Sequence, residues 1–177
     1  MSHTVWTIGH STRPIEDFLA LLRTAEITFV ADVRRFPGSR RYPQFNREAL
    51  MRSLNSNGIE YLSLPELGGR REPRENSVNI ALRNPGFRGY ADYMETEEFS
   101  RGIDRMFEVA ADRRLAIMCS EGAWTECHRS LIADYLKTRG DRVIHIVSTV
   151  KQEEHPYTRA ANVVNGRLSY ALPFLGT

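Results

Sequence analysis

Two cysteines, two lysines and no long apolar run set the first bounds on this 177-residue chain. Without a stretch of about 18 apolar residues it offers no helix to cross a bilayer, so no membrane is expected as a partner. Its start, Met1-Ser-His-Thr-Val-Trp6, leads into a strand pattern and not a cleavable signal, and the expected compartment is the cytoplasm. Two cysteines eight positions apart build no secreted disulfide framework. Free thiols or metal ligands are expected before a bridge. Of the 24 basic residues only Lys137 and Lys151 are lysines, and the other 22 are arginines. Arginine's planar, always-charged fork suits phosphate and carboxylate, so its placement matters more than the net charge of +2. No internal repeat or low-complexity segment occurs. A hydrophobic content of 41% suffices for one core, hence one domain over 1–177.

What is present alternates between strand and helix patterns. Thr4 to Ile8 reads as a strand ending in the turn Gly9-His10-Ser11-Thr12. Pro14 then suits the first turn of a helix with Phe18, Leu19 and Leu22 as its stripe. Ile27 to Ala31 is a second strand and Ile59 to Leu64 a third. Between them lies a helix that Asn46 is expected to cap and Asn57-Gly58 to stop. From Pro65 to about Phe87 no periodic pattern occurs, which in a compact domain marks a lid, a binding loop or a disordered segment. Helical spacing returns at Phe87, Tyr90 and Met94, is re-capped at Thr96 and runs to Ala110. Leu115 to Met118 is a fourth strand, and Leu131 to Arg139 a helix closed by Gly140. Arg142 to Val147 is a fifth strand, with His145 read as a satisfied core histidine. Asn165-Gly166 between apolar runs marks a hairpin. The expected fold is α/β: a three-layer α/β/α domain with a mostly parallel sheet of about five strands, plus a small C-terminal hairpin.

In open parallel sheets ligands bind beyond the carboxyl ends of the strands. Four predicted strand ends deliver polar residues there: His10 and Ser11; Asp32 with Arg34 and Arg35; Gly68, Gly69 and Arg70; and Cys119 with Glu121. The richest stretch is Cys119 to Arg129, which contains both cysteines and His128. Thr125 is the expected N-cap of the helix that follows, placing Cys127, His128 and Arg129 in its first turn. Partial positive charge and free N–H groups there favour an anion and a low-pKa thiol. From Val33 to Arg47 no acid occurs, and Arg34, Arg35, Arg40, Arg41 and Arg47 interleave with Phe36, Tyr42 and Phe45. That mixture grips phosphates and stacks a base. The competing reading is a solvated loop whose arginines pair with acids elsewhere. Gly68-Gly69 permits close backbone approach but lacks the further residues of a dinucleotide or phosphate loop.

Taken in order, Thr7-Ile-Gly-His-Ser11, Asp32-Val-Arg-Arg-Phe-Pro-Gly-Ser39, Leu67-Gly-Gly69 and Cys119-Ser-Glu121 with Glu126-Cys-His-Arg129 resemble the signatures of a known family. It is the bacterial and archaeal family catalogued as "domain of unknown function 488", and the resemblance covers nearly the whole chain. It implies the α/β domain and no particular reaction.

The chemistry is therefore argued from the residues. A tyrosine-phosphatase loop needs Cys, five residues and Arg after a strand, whereas the sixth position after Cys119 is Thr125 and Arg129 lies ten away. That mechanism is disfavoured. A rhodanese-like sulfur carrier needs only an activated cysteine backed by loop N–H groups and stays open. A zinc or iron site is another reading, with Cys119, Cys127 and His128 as ligands and His10 or Asp32 in reserve. Against it stands the angle of about 100° between adjacent helical side chains. A third reading makes Cys119 a nucleophile or redox thiol, grouped with Glu121, Cys127, His128 and Asp32. In it His10, Ser11, Arg34, Arg35, Gly68, Gly69, Arg70 and Arg129 hold an anionic substrate. The plain alternative buries both cysteines and pairs Arg129 with Asp32. The expectation is an enzyme acting on a phosphate-bearing or nucleic-acid-related substrate. The alternative is a nucleic-acid or nucleotide binding module that uses loop 34–47, with the cysteines structural.

Overall fold

Strand β1, Thr4–Gly9, sits near the middle of the sheet in the computed structural model, which describes residues 2–173. It lies between β4 (Leu115–Cys119) and β5 (Arg142–Ser148), with β2 (Phe29–Asp32) and β3 (Glu60–Ser63) continuing beyond β4. All of these neighbours pair in parallel. A sixth strand, β6 (Lys151–Glu154), closes the far edge antiparallel to β5. The expected α/β architecture is present with one strand more than the sequence patterns indicate. Lys-Gln-Glu-Glu has no apolar alternation because an edge strand facing water needs none, and charge there discourages further pairing.

Period-two alternation sorts the strands onto two cores. Trp6, Ile8, Val30, Ala116 and Met118 face α1 (Ile15–Thr24) and α2 (Arg47–Asn55), packing with Phe18, Leu22, Leu50 and Leu54. Val5, Phe29, Ala31, Leu115, Ile117 and Cys119 face the other way. They meet α3 (Pro85–Met94), α4 (Glu97–Ala110) and α5 (Arg129–Thr138). Cys119 is thereby directed to the side on which α5 begins. The tail carries the expected hairpin, β7 (Asn162–Val164) and β8 (Arg167–Ser169), with Asn165 and Gly166 at φ of 51° and 73°. Both angles suit the turn type that asparagine-glycine favours. Among the described residues no helix is long and apolar enough to cross a membrane.

Three local expectations change. Asn46 stands at the N-cap of α2, but its side chain accepts from Ser39 N at 2.5 Å and so shapes the arginine-rich loop. Thr125 is not a cap: it lies inside a short 3-10 turn, Trp124–Glu126, and α5 starts only at Arg129 with His128 at its N-cap. The stretch after Pro65 is not disordered, and its Gly69, Arg70 and Asn84 reach the cleft described below. Tyr90 and Tyr93 donate to the carbonyls of Leu67 and Glu66, and Asp92 accepts from Arg74 N, Ser77 Oγ and Asn79 Nδ2. Regular backbone pairing is replaced there by side-chain hydrogen bonds from one helix, which leave no periodic trace.

Gly9 ends β1 under the loop that follows β4. A Cβ at this position would stand 1.7 Å from the Glu121 carbonyl oxygen and 3.0 Å from Arg129 Nη2. Gly9→Ala should therefore cost roughly 2–4 kcal/mol of stability. Urea denaturation measures this, and an unchanged midpoint would mean that the loop yields freely.

Candidate functional site

The carboxyl ends of β1 to β4 open into a cleft of about 550 Å³. Of the residues predicted for the site, His10, Ser11, Arg34, Arg35, Gly69, Arg70, Cys119, Glu121, Cys127 and His128 line it. Tyr42, in the loop read above as gripping phosphates and stacking a base, lines it too, as do Asn84, Phe87 and Tyr90, which sequence reasoning missed as site residues. Tyr90 reads as an ordinary core position on the stripe of α3, yet its ring lies 4.9 Å from that of His128. Two lining residues, Ser11 and Arg70, hold left-handed backbone at φ of 52° and 58°. Such conformations are strained for residues with a Cβ and gather at functional sites.

Asp32 and Arg129 are corrected. Asp32 is wholly buried and does not line the cleft. It accepts from Arg34 N, Nε and Nη2 at 3.0, 2.9 and 2.7 Å, and from the Tyr61 hydroxyl. With its acceptor sites so engaged it orients Arg34 and is not available as a general base. Arg34 Nη1 in turn lies 3.3 Å from His10 Nε2, while His10 Nδ1 donates to the Ser11 carbonyl at 2.8 Å. Arginine only donates, so His10 is neutral with its proton on Nδ1. Burial, with the Arg34 charge beside it, holds the His10 pKa below the usual histidine value. Its lone pair is thus engaged by Arg34 and is not open to a metal.

Arg129 is buried at 1% exposure and lies outside the cleft, so it does not grip substrate. Nor does it pair with Asp32. Its Nη2 donates to the carbonyls of Glu121 and Gly122 at 2.9 and 3.2 Å, and its Nη1 to Thr7 Oγ1 at 3.3 Å. Among the described residues its Nε finds no partner and no carboxylate forms an ion pair with it. Gly68 also turns away from the cleft, its Cα packed so closely on Arg35 that a Cβ would lie 2.6 Å from the Arg35 backbone. Gly69 does reach the site: a Cβ there would meet His128 Nδ1 at 3.1 Å, close enough that a side chain would push on the imidazole.

Cys127 precedes α5 in extended backbone, and His128 is the N-cap. The ideal helical angle between adjacent side chains therefore does not apply. His128 Nδ1 lies 3.4 Å from Cys127 Sγ, and His128 Nε2 donates to the Val33 carbonyl at 3.0 Å. A carbonyl only accepts, so Nε2 carries a proton and Nδ1 is the atom that trades one with sulfur. Arg129 N points at the same sulfur from 3.4 Å. Cys119 Sγ lies 2.6 Å from Cys127 Sγ, and its other contact is the Glu121 carbonyl at 3.7 Å. Cys127 is thus surrounded by N–H donors, whereas Cys119 faces an acceptor. Cys119 is therefore placed to be the thiol, with its proton toward the Glu121 carbonyl, and Cys127 is the better-stabilised thiolate.

The electrostatics agree with that assignment. Burial opposes a thiolate at Cys127, but the Cys119 thiol, the adjacent His128 and the Arg129 charge outweigh it and hold the pKa well below an ordinary cysteine's. Burial and then the Cys127 sulfur push Cys119 well up. His128 is raised: burial alone would lower it, and the negative sulfur of Cys127 more than compensates. A buried guanidinium without a carboxylate favours a counter-charge nearby, and a thiolate at Cys127 would supply one.

Cys119, Glu121 and Cys127 present ligand atoms within 4.8 Å of one another, a sulfur and oxygen set suited to zinc or iron. This set replaces the expected Cys119, Cys127 and His128, since both ring nitrogens of His128 are engaged. Two thiolates on one tetrahedral zinc stand about 4 Å apart, so the 2.6 Å between these sulfurs is closer than a shared ion would set them.

At the mouth Arg34 alone of the arginine-rich loop pairs with an acid. Arg35, Arg40, Arg41 and Arg47 are exposed and make no ion pair among the described residues. Arg35 and Arg70 both lie over the ring of Phe36, at 5.6 and 5.8 Å, and that ring is 63% exposed. A flat, cationic rim results.

The sequence profile of the family described as "Domain of unknown function DUF488" matches residues 14–136. That span includes Asp32 to Ser39, Leu67 to Gly69 and Cys119 to Arg129, with Thr7 to Ser11 before it. No curated protein and no solved structure matches the chain.

Proposed function

The chain belongs to the DUF488 family, and from its geometry we propose that it is an enzyme using Cys127 as a nucleophile on a phosphate-bearing substrate. The observation that carries this reading is the contact of His128 Nδ1 with Cys127 Sγ, with the far side of the ring anchored on Val33. His128 takes the Cys127 proton and leaves a thiolate beside an imidazolium. The thiolate forms a bond to the electrophilic atom of the substrate, the bond to the leaving group breaks, and that group departs with the proton from His128 Nδ1. Water, deprotonated by the same nitrogen, or another acceptor then takes the transferred group from sulfur and restores the thiolate. Arg35 and Arg70 line the cleft and, among the described residues, pair with no acid, so they are placed to hold phosphate. Asp32 acts only by orienting Arg34.

Timed alkylation with iodoacetamide, read by mass spectrometry, tests this. Cys127 should be modified rapidly in the folded protein, Cys127→Ser should remove the fast phase, and Cys119→Ser should keep it. Fast modification of Cys119 alone, or stoichiometric metal in protein purified without chelator, would sink the reading.

A second reading, binding of nucleic acid or nucleotides by loop 34–47, draws on the exposed, unpaired Arg35, Arg40, Arg41 and Arg47. It is favoured if a single-stranded oligonucleotide binds with steep salt dependence and Arg40→Ala or Arg41→Ala abolishes binding while Cys127→Ser does not.

A further inference from the structure

Behind the thiols lies a second group of polar side chains, buried and outside the cleft. Asp134 on α5 is fully buried and accepts four hydrogen bonds: from His155 Nε2 at 2.8 Å, Thr158 N at 2.9 Å, Thr158 Oγ1 at 2.6 Å and the Tyr170 hydroxyl at 2.7 Å. His155 Nδ1 lies 2.8 Å from His145 Nε2, and His145 Nδ1 is in contact with Thr7 Oγ1. Thr7 Oγ1 is also the oxygen that accepts from Arg129 Nη1.

Donor and acceptor chemistry gives this series one direction. Arg129 can only donate, so Thr7 accepts, and the hydroxyl proton of Thr7 has one partner left, His145 Nδ1. His145 then carries its proton on Nε2 and donates to His155 Nδ1. His155 donates from Nε2 to Asp134, which as a carboxylate can only accept. Read from the Asp134 end, the same order holds with His155 neutral. A buried cation and a buried anion, neither with an opposite charge in direct ion-pair contact across this gap, are joined through a hydroxyl and two neutral imidazoles. On the other side Arg129 Nη2 holds the Glu121 carbonyl, the acceptor facing Cys119 Sγ. Trp124, in the loop between the cysteines, stacks on His145 at 4.3 Å with only 5° between the rings.

We propose that Thr7, His145, His155 and Asp134 are positioning residues of the thiol site. Their hydrogen bonds hold the Arg129 guanidinium beneath the loop Ser120 to Gly122 and so fix the positive charge that faces the two sulfurs. None of the four lines the cleft. They act through Arg129, and the inference rests on the thiol reading above for its functional meaning. The titratable groups that face Cys127 directly are Cys119 and Glu121 from the end of β4, His128 and Arg129 from the start of α5, and Tyr90 from α3.

Thr7→Val removes the shared hydroxyl without changing any charge, and Thr7→Ser retains it. The pH midpoint of Cys127 alkylation should rise by about half a unit or more in Thr7→Val, while Thr7→Ser stays with the wild type. A Thr7→Val protein that loses thermal stability but keeps the wild-type midpoint would overturn the proposal, because a merely structural residue predicts that result. Imidazole nitrogen NMR of the unaltered protein is an independent arm if Thr7→Val does not fold. Proton on Nε2 and bare Nδ1 for both His145 and His155 supports the series as drawn; a proton on Nδ1 of either ring overturns it. If wild-type Cys127 shows no fast phase at all, the thiol reading fails by itself, and the NMR result still decides whether the series exists.

Discussion

Replacing His128 with glutamine is expected to slow alkylation of Cys127 at neutral pH by about 10- to 100-fold, since each pKa unit by which the thiol rises cuts its thiolate fraction tenfold. Glutamine has similar reach but cannot hold a positive charge. It leaves in place the other influences that lower the Cys127 pKa, namely the Cys119 thiol, the Arg129 N–H and the Arg129 charge. The fall is therefore large but not complete. The signature is a rate against pH curve displaced upward with the same plateau at high pH, because the thiolate once formed is equally exposed. Equal rates in the two proteins at pH 7 would remove His128 from the mechanism.

The second large effect is on stability in acid. Burial first, then His155 and the Arg129 charge, push the His145 pKa down to about 3. An unfolded chain protonates the same histidine near pH 6.5. The folded form thus refuses a proton that the unfolded form accepts. The stabilisation is complete above about pH 6.5 and is lost as the pH falls toward 3, with a slope of up to about 1.4 kcal/mol per pH unit. His10, also depressed, adds a contribution of the same sign. So does Cys127: once His128 is charged in both states, the unfolded thiol holds a proton that the folded thiolate lacks. Urea midpoints at pH 7, 6, 5 and 4 for wild type and His145→Gln read this out, and the variant should show the shallower decline. Identical slopes would mean that His145 titrates normally in the fold.

The frame was legible because it rests on periodicity. Apolar runs at Thr4, Leu115 and Arg142, separated by helical stripes, place β1, β4 and β5, and the Asn165-Gly166 pair places the hairpin. The rim was legible for a related reason: a parallel sheet brings the residues after its strands to one edge, so His10, Arg34, Gly69 and Cys119 meet there although they are far apart in sequence. Roles were harder to read than locations. Arg129 and Asp32 have the residue types of a substrate grip and a base, but their hydrogen bonds, which no spacing rule encodes, commit one to loop carbonyls and the other to Arg34. The choice between two cysteines turned on whether their neighbours donate or accept. His155 and Asp134, 21 positions apart, carry no motif that joins them.

The register of β1 has a consequence for how the molecule comes into being. Trp6 pairs with Ala116 on one side and Thr4 with Arg142 on the other. During synthesis β1 must wait for β4 and β5, and pairings across such sequence separations form slowly. Until then neither sulfur has its surroundings, since Thr7, the Glu121 loop and α5 are not yet assembled. The nascent chain therefore carries two ordinary thiols, and the unequal pair emerges only after β4, α5 and β5 have joined β1.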